Sequence, residues 1–440
     1  MMDHGFALRA PVLHCLDDPT QAGDRAWEYY PDGLLWVQGG RIQRLEHASA
    51  AAMAELPAGV AVEALPDRLI IPGLVDAHIH YPQTEMIAAY GGKLLDWLNT
   101  YTFPVEAKFG DAGYASAMAR FFLRELLRNG TTTALVFGTV HPTSVSALFQ
   151  AAHELNLRLI AGKVLMDRNA PEALCDSAET GYQESVALIE RWHRVGRLGY
   201  AVTPRFAPTS SPRQLRKIGE LLREYPDVYL HTHLAESREE VAWVQQLFPD
   251  ARHYLDVYDR YGLVGERSLF AHGIHLCDDA CQRLGQAGSG VVHCPTSNLF
   301  LGSGLLNLQR LRGYGVKLAV GTDVGAGTSF SLFRTLDEAY KVQQLQGLSL
   351  SPMQGLYLAT LGGARALGMG HLIGSLQPGR EADFLVLDPA ATPLLALRMA
   401  RCRDIVEQVF VLNTLADDRV VQRTYAAGRC LYRRGEPEAA

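Results

Sequence analysis

From residue 74 onward the chain repeats one unit, a short apolar run followed by an amphipathic stretch with helical spacing. Runs of strand character fall at 74–80, 131–137, 158–166, 199–206, 228–234, 268–274, 290–294 and 316–322. About eight strands alternating with helices over about 250 residues predict an α/β fold, a closed parallel (β/α)8 barrel. The intervening helices are legible in the same way. Leu215, Ile218, Leu221 and Leu222 share one helical stripe, and Leu332, Leu336, Ala339 and Val342 share another. An open doubly wound sheet is the competing architecture. The barrel is favoured because polar residues gather at the C-terminal ends of many strands, whereas an open sheet concentrates them at one switch point.

The flanks read differently. Residues 33–38 and 41–45 alternate apolar and polar side chains about Gly39-Gly40, a pair suited to the positive φ angles of a tight hairpin turn. The Ala-rich residues 46–60 predict a surface loop or short helix. After Gly374, strand-like runs return at 382–387, 406–412, 420–425 and 429–432, with Ala427-Gly428 supplying a turn glycine. Strands on both sides predict that the termini meet in one small β-sandwich, built from 1–72 and 374–440 around a barrel of 73–373.

A net charge of −6 without any Lys/Arg run excludes the basic footprint of a nucleic-acid binder. No run of about 18 apolar residues exists to span a membrane. The opening Met-Met-Asp-His-Gly lacks the positive and apolar regions of a signal peptide. Seven scattered cysteines without a Cys-x-x-Cys pair exclude a disulfide framework and a cysteine-rich zinc module. The cytoplasm is the expected compartment, and a small, roughly neutral molecule the expected substrate.

His78 and His80 are spaced i, i+2, so a strand sends both imidazoles to one face. On a barrel strand they would point inward at the C-terminal rim and form half of a tetrahedral zinc site. Later strand ends supply Arg205-Phe206, His231-Thr-His233-Leu-Ala-Glu236, His272 and Asp323. Zinc takes three or four N or O ligands, with an open position for water in a catalytic site. These residues meet that demand without cysteine. Spacing leaves His231 and His233 equivalent, since they share a face. Each residue also has a structural alternative: Glu236 as the start of a helix, Asp323 as a cap or Gly-rich turn, His272 and His293 as buried strand histidines, Arg205 as a rim charge. Their joint placement at successive strand ends favours the metal site.

Together, Pro72-Gly-Leu-Val-Asp-Ala-His-Ile-His80, the His-x-x-Glu ending at Glu236, Ala271-His-Gly273 and Gly321-Thr-Asp323 resemble the amidohydrolase superfamily. Within it, His80-Tyr-Pro-Gln83, Leu95-Asp-Trp-Leu-Asn-Thr-Tyr-Thr-Phe-Pro104, Thr203-Pro-Arg-Phe206, His233-Leu-Ala-Glu236, His293-Cys-Pro-Thr-Ser-Asn298 and Gly321-Thr-Asp323 resemble the guanine deaminase family. The resemblance implies one zinc ion per subunit, held by His78, His80, His233 and Asp323, and it selects His233 over His231. It implies that zinc makes water nucleophilic near neutral pH. Asp323 would accept that water's proton, and Glu236 would carry protons to the ring nitrogen and the leaving amine. His272 would orient the nucleophile or stabilise the tetrahedral intermediate. Guanine would be held by His80, Gln83, Arg205, Phe206, His233, Glu236 and Asp323, under a cover formed by residues 82–110, and leave as xanthine and ammonia. Rejection of adenine would rest on Arg205. A homodimer is also implied.

Two-metal members of the superfamily carry a bridging lysine at the end of the fourth strand. Here that position lies near Arg205-Phe206, and Lys163 belongs to the third strand, so one metal is expected. The His-x-Glu and Pro-Cys-x-x-Cys signature of cytidine-type deaminases is absent. Rival expectations are the same metal site acting on 8-oxoguanine, a pterin or a triazine, and a metal-free homologue that only binds. The complete donor set disfavours the last.

Overall fold

The computed structural model describes residues 5–91 and 94–436. Residues 1–4 and 437–440 of the predicted flanks, and residues 92–93 of the predicted cover, lie outside the described residues. The chain opens with β1 (Phe6–Cys15), β2 (Trp27–Gln38), β3 (Arg41–His47), β4 (Ala61–Ala64) and β5 (Leu69–Pro72). As predicted, β2 and β3 form a hairpin about Gly39 and Gly40, whose φ angles are 59° and 73°. The Ala-rich stretch holds one short helix, Ala50–Ala54, capped by the Ser49 side chain.

The barrel strands follow: β6 (Leu74–His80), β7 (Thr131–Phe137), β8 (Arg158–Gly162), β9 (Val164–Leu165), β10 (Leu198–Pro204), β11 (Tyr229–Leu234), β12 (Ser268–His272), β13 (Gly290–His293) and β14 (Lys317–Val320). They pair in parallel in the order β6-β7-β8-β10-β11-β12-β13-β14, with β9 continuing alongside β10. Alternate residues, Val75, Ala77, Leu135, Ile160, Ala201, Leu269, Val292 and Ala319 among them, pack into one inner core. The helices cover the outside, which is why these strands are apolar on both faces. The seam between β14 and β6 is drawn together just beyond the end of β14. There the Asp323 N–H donates to the His78 carbonyl and the His80 N–H to the Val324 carbonyl, both at 2.9 Å. Gly321 permits this approach, because a Cβ at that position would lie 2.8 Å from the His78 carbonyl oxygen.

After the barrel come β15 (Phe384–Leu387), β16 (Val421–Ala426) and β17 (Arg429–Arg433). Strand β15 pairs antiparallel with β5, setting Leu385 opposite Ile71. The termini therefore do meet, and the expected sandwich takes the form of a separate mixed sheet in the order β17-β16-β15-β5-β1-β2-β3, with β4 on β1. Residues 406–412, expected as a strand, instead belong to the helix Ile405–Leu415. The Asp404 side chain caps it by accepting the Glu407 N–H at 2.9 Å. Burial of Ile405, Val409 and Leu412 follows the i, i+4, i+7 helical period, which outweighs the strand preference of the valines.

At the N-terminal end of the barrel, Arg158 and Arg197 pair with Glu381 at 2.5 and 2.6 Å, just ahead of β15. These nearly buried pairs tie the start of the flanking strand β15 to the barrel strands β8 and β10. The sheet thus engages the bottom of the barrel and leaves the C-terminal rim open for chemistry. Among the described residues no helix is long and apolar enough to cross a membrane.

Candidate active site

At that rim, β6 presents His78 and His80, β11 presents His233, and the turn after β14 presents Asp323. The His80 Nε2 lies 3.3 Å from His78 Nε2, 3.2 Å from His233 Nε2 and 3.3 Å from Asp323 Oδ1. The His78 Nε2 is 3.1 Å from the same carboxylate oxygen. A tetrahedral zinc ion with ligands at about 2.0–2.1 Å separates them from one another by about 3.3–3.4 Å, so these spacings fit that ion. His272 joins the cluster: His78, His233, His272 and Asp323 each offer a donor atom within 4.8 Å of the others. Its Nε2 stands farther out, 3.8 Å from Asp323 Oδ2 and 3.4 Å from Glu236 Oε2. His272 and Asp323 adopt φ angles of 69° and 51°, a left-handed conformation uncommon for residues other than glycine. Such strain persists only where surrounding structure enforces it, and functional sites are where it collects.

The charge state suits a cation. Burial pushes the pKa of His80 down to about 3 and holds those of His78 and His233 below the usual imidazole range, so all three are neutral donors at pH 7. Burial alone would raise Asp323, but the neighbouring His78 and His80 outweigh it and keep the carboxylate well below its ordinary value. Three neutral nitrogens and one anionic oxygen form a donor set that zinc accepts.

Each imidazole is braced at its other nitrogen. His78 Nδ1 meets His231 Nε2 at 2.8 Å, His233 Nδ1 meets the Arg205 carbonyl at 2.7 Å, and His272 Nδ1 meets Asn298 Oδ1 at 2.8 Å. Contacts of this kind orient the ring and leave Nε2 toward the centre. His231 therefore stands behind His78, outside the donor cluster. Asp76, below it, accepts the backbone N–H groups of His78 at 3.2 Å and Thr322 at 3.1 Å. Lys163 is wholly buried and paired with Asp176 and Glu184.

Beside the cluster, His80, Gln83, Arg205, Phe206, Glu236, Leu94, Trp97 and Leu98 line a cavity. His233, His272 and Asp323 also reach it. The last three apolar residues come from the 82–110 connection, whose described part folds over the rim as short helical turns, Leu94–Trp97, Leu98–Thr102 and Phe103–Glu106. The Glu236 carboxyl accepts a hydrogen bond from Ser303 Oγ at 2.9 Å. Burial, and then the charge of Asp323, pushes its pKa up to about 8. A carboxyl raised from 4.5 to about 8 on folding holds its proton more tightly when folded, so stability is lost as pH rises through that window. In metal-free protein, Glu236→Gln is accordingly expected to gain about 2–4 kcal/mol over the unsubstituted chain at pH 9 relative to pH 5. Melting curves at the two pH values check it, and an equal difference at both would contradict it.

Arg205 and Gln83 meet on Glu106, which the sequence reading passed over. Arg205 Nη1 donates to both Glu106 oxygens at 3.0 and 2.8 Å, and Gln83 Nε2 donates to Oε1 at 3.1 Å. The Gln83 amide nitrogen also lies 3.2 Å from His80 Nδ1, while its carbonyl accepts the Gly325 N–H at 3.1 Å. Both amide hydrogens thus face protein groups, and the second lone pair on the carbonyl is what remains for a ligand. Ser303 and Asn298 also escaped notice as bracing groups. Asn298 ends the run His293-Cys-Pro-Thr-Ser-Asn298, and Glu106 is the single acid in Tyr101–Glu106, whereas no sequence pattern marks Ser303.

A parallel barrel with His, His, His and Asp gathered at its C-terminal rim defines a metal-dependent hydrolase. A model of the amidohydrolase family matches residues 69–431, and the chain belongs to that family. It is 52% identical over 423 residues to the guanine deaminase of Escherichia coli (strain K12), covering 96% of each chain. The structure of E. coli guanine deaminase superimposes with a TM-score of 0.94 at 50% identity, covering 98% of this chain and all of that one. A crystal structure of guanine deaminase from C. acetobutylicum with guanine bound in the active site matches at TM-score 0.89 and 27% identity over 97% of this chain and 100% of that one. A zinc-bound adenosine deaminase from Xanthomonas campestris matches at 0.84 and 26% identity, over 98% and 93%.

Proposed function

We infer that this chain hydrolyses guanine to xanthine and ammonia with one zinc ion per subunit. The observation that carries it is the convergence on one cavity of donors spaced for zinc, an uncharged carboxylic acid and a single arginine. The 52% identity to a guanine deaminase supports the choice of substrate.

His78, His80, His233 and Asp323 would hold the ion. When bound, zinc lowers the pKa of water toward 7 and so supplies a nucleophile at neutral pH. Arg205 donates to O6 of the purine, Phe206 walls the ring, and the free lone pair of Gln83 faces its edge. Glu236, uncharged until its proton is needed, protonates the ring nitrogen next to C2 as the oxygen of water bonds to that carbon. Asp323 takes the proton that the water gives up. His272 Nε2, fixed by Asn298, steadies the charge that develops on the incoming oxygen. Glu236, now a carboxylate, takes the proton of the hydroxyl formed on C2 and passes it to the amino group, the C2–N bond breaks as the C2 carbonyl forms, ammonia leaves, and the proton held by Asp323 goes back to Glu236.

The same reading includes a homodimer, a cytoplasmic location supported by seven unpaired cysteines, and domain boundaries at 72/73 and 373/374, supported by the change from flanking sheet to barrel. Ammonia release from guanine, adenine and 8-oxoguanine by protein of known zinc content tests the substrate. Guanine is expected to be favoured over adenine by roughly 10³-fold or more, because adenine held in the same pose has hydrogen at C2 and no amino group to leave there, and its C6 amino group would face the donors of Arg205. Zinc-loaded protein that ignores guanine but converts 8-oxoguanine, a pterin or a triazine would replace this substrate with that one.

A further inference from the structure

We propose that Glu106 aims Arg205 at the substrate and so sets the preference for a purine bearing oxygen at C6; the proposal rests on guanine being the substrate. Glu106 is 1% exposed and does not border the cavity, yet both of its side-chain partners, Arg205 and Gln83, do. A buried carboxylate needs such partners to satisfy its lone pairs. The Arg205 backbone is already fixed, its carbonyl accepting Thr232 Oγ1 at 3.2 Å and touching His233 Nδ1. What is left to decide is where the guanidinium points.

Two residues of one short helix decide it. Phe103 lies under the guanidinium, 5.3 Å from ring centre to Cζ, and Glu106, three positions on, engages Nη1 with both oxygens. Among the described residues no protein acceptor engages Nη2 or Nε, so those donors remain for a ligand oxygen. Glu236 and Asp323 share the cavity with Arg205, and the Asp323 carboxylate would attract an unrestrained guanidinium. Glu106 therefore holds the arginine away from the reacting groups, and it does so from the short helix Phe103–Glu106.

The test compares guanine with 2-aminopurine, which keeps the amino group at C2 and has hydrogen in place of O6. Glu106→Gln protein is expected to lose roughly 10- to 100-fold in kcat/KM on guanine, the worth of a charged hydrogen bond, and under threefold on 2-aminopurine. Glu106→Asp recovers part of the loss. Should Glu106→Gln fail to fold, Phe103→Leu carries the test, with the ratio between substrates moving in the same direction. Equal losses on both substrates would reduce Glu106 to a support for the fold and overturn the proposal. No guanine turnover by the unsubstituted chain would overturn the substrate reading beneath it.

Discussion

Glu236→Gln protein is expected to bind zinc as the unsubstituted chain does and to lose about 10³–10⁴-fold in kcat on guanine. The substitution keeps the shape of the side chain and the oxygen that receives Ser303 Oγ at 2.9 Å, so the rim has no reason to rearrange. What it removes is a proton. With the ordinary carboxyl value of 4.5 Glu236 would be ionised at neutral pH, whereas burial and the charge of Asp323 hold it at about 8. A bound cation lowers that value again, which brings the group to the pH at which an acid that must give up and regain a proton works best. Zinc content by atomic emission and single-turnover rates separate binding from chemistry. A variant that keeps its zinc and stays within tenfold of the original rate would remove Glu236 from the proton path.

The barrel was legible because its signal is repeated: eight apolar runs and their helical partners have to be explained together. The same logic made the site legible. His78, His80, His233, His272 and Asp323 each have an ordinary structural explanation, but they fall at the ends of four barrel strands, β6, β11, β12 and β14, and a parallel barrel brings strand ends to one rim. What escaped the sequence has no repeat. Glu106 faces Arg205 across 99 positions and Ser303 reaches Glu236 across 67, contacts that only the closed fold creates. The helix Ile405–Leu415 was missed because four valine or isoleucine residues imitate a strand. There the cap at Asp404 and burial at 405, 409 and 412 decide the conformation, and neither outranks β-branching until neighbours are present. His231 marks a different limit. Strand periodicity puts it on the same face as His233, and depth along the barrel, which periodicity does not encode, sets it behind His78.

That depth leaves five donors around a centre that needs four, and His80 and His272 compete for one place. His80 approaches three of the other donors at 3.2–3.3 Å, close to the edge of a zinc tetrahedron, whereas His272 stands 3.8 Å from Asp323 and 3.4 Å from Glu236. That outer position is what supports the proposed action of His272 on the incoming oxygen. Two substitutions separate these roles. His80→Ala is expected to reduce zinc affinity by more than about 100-fold, beyond what loss of an outer bracing group would do, so that dialysed protein retains little metal. His272→Ala is expected to retain its zinc and lose about 10²–10³-fold in kcat, the range for removing one group that stabilises a developing oxyanion. Added zinc in excess would restore part of the activity to the first protein and none to the second. The reverse pattern, with metal lost from His272→Ala and kept by His80→Ala, would exchange the two residues and move the open coordination position toward Gln83.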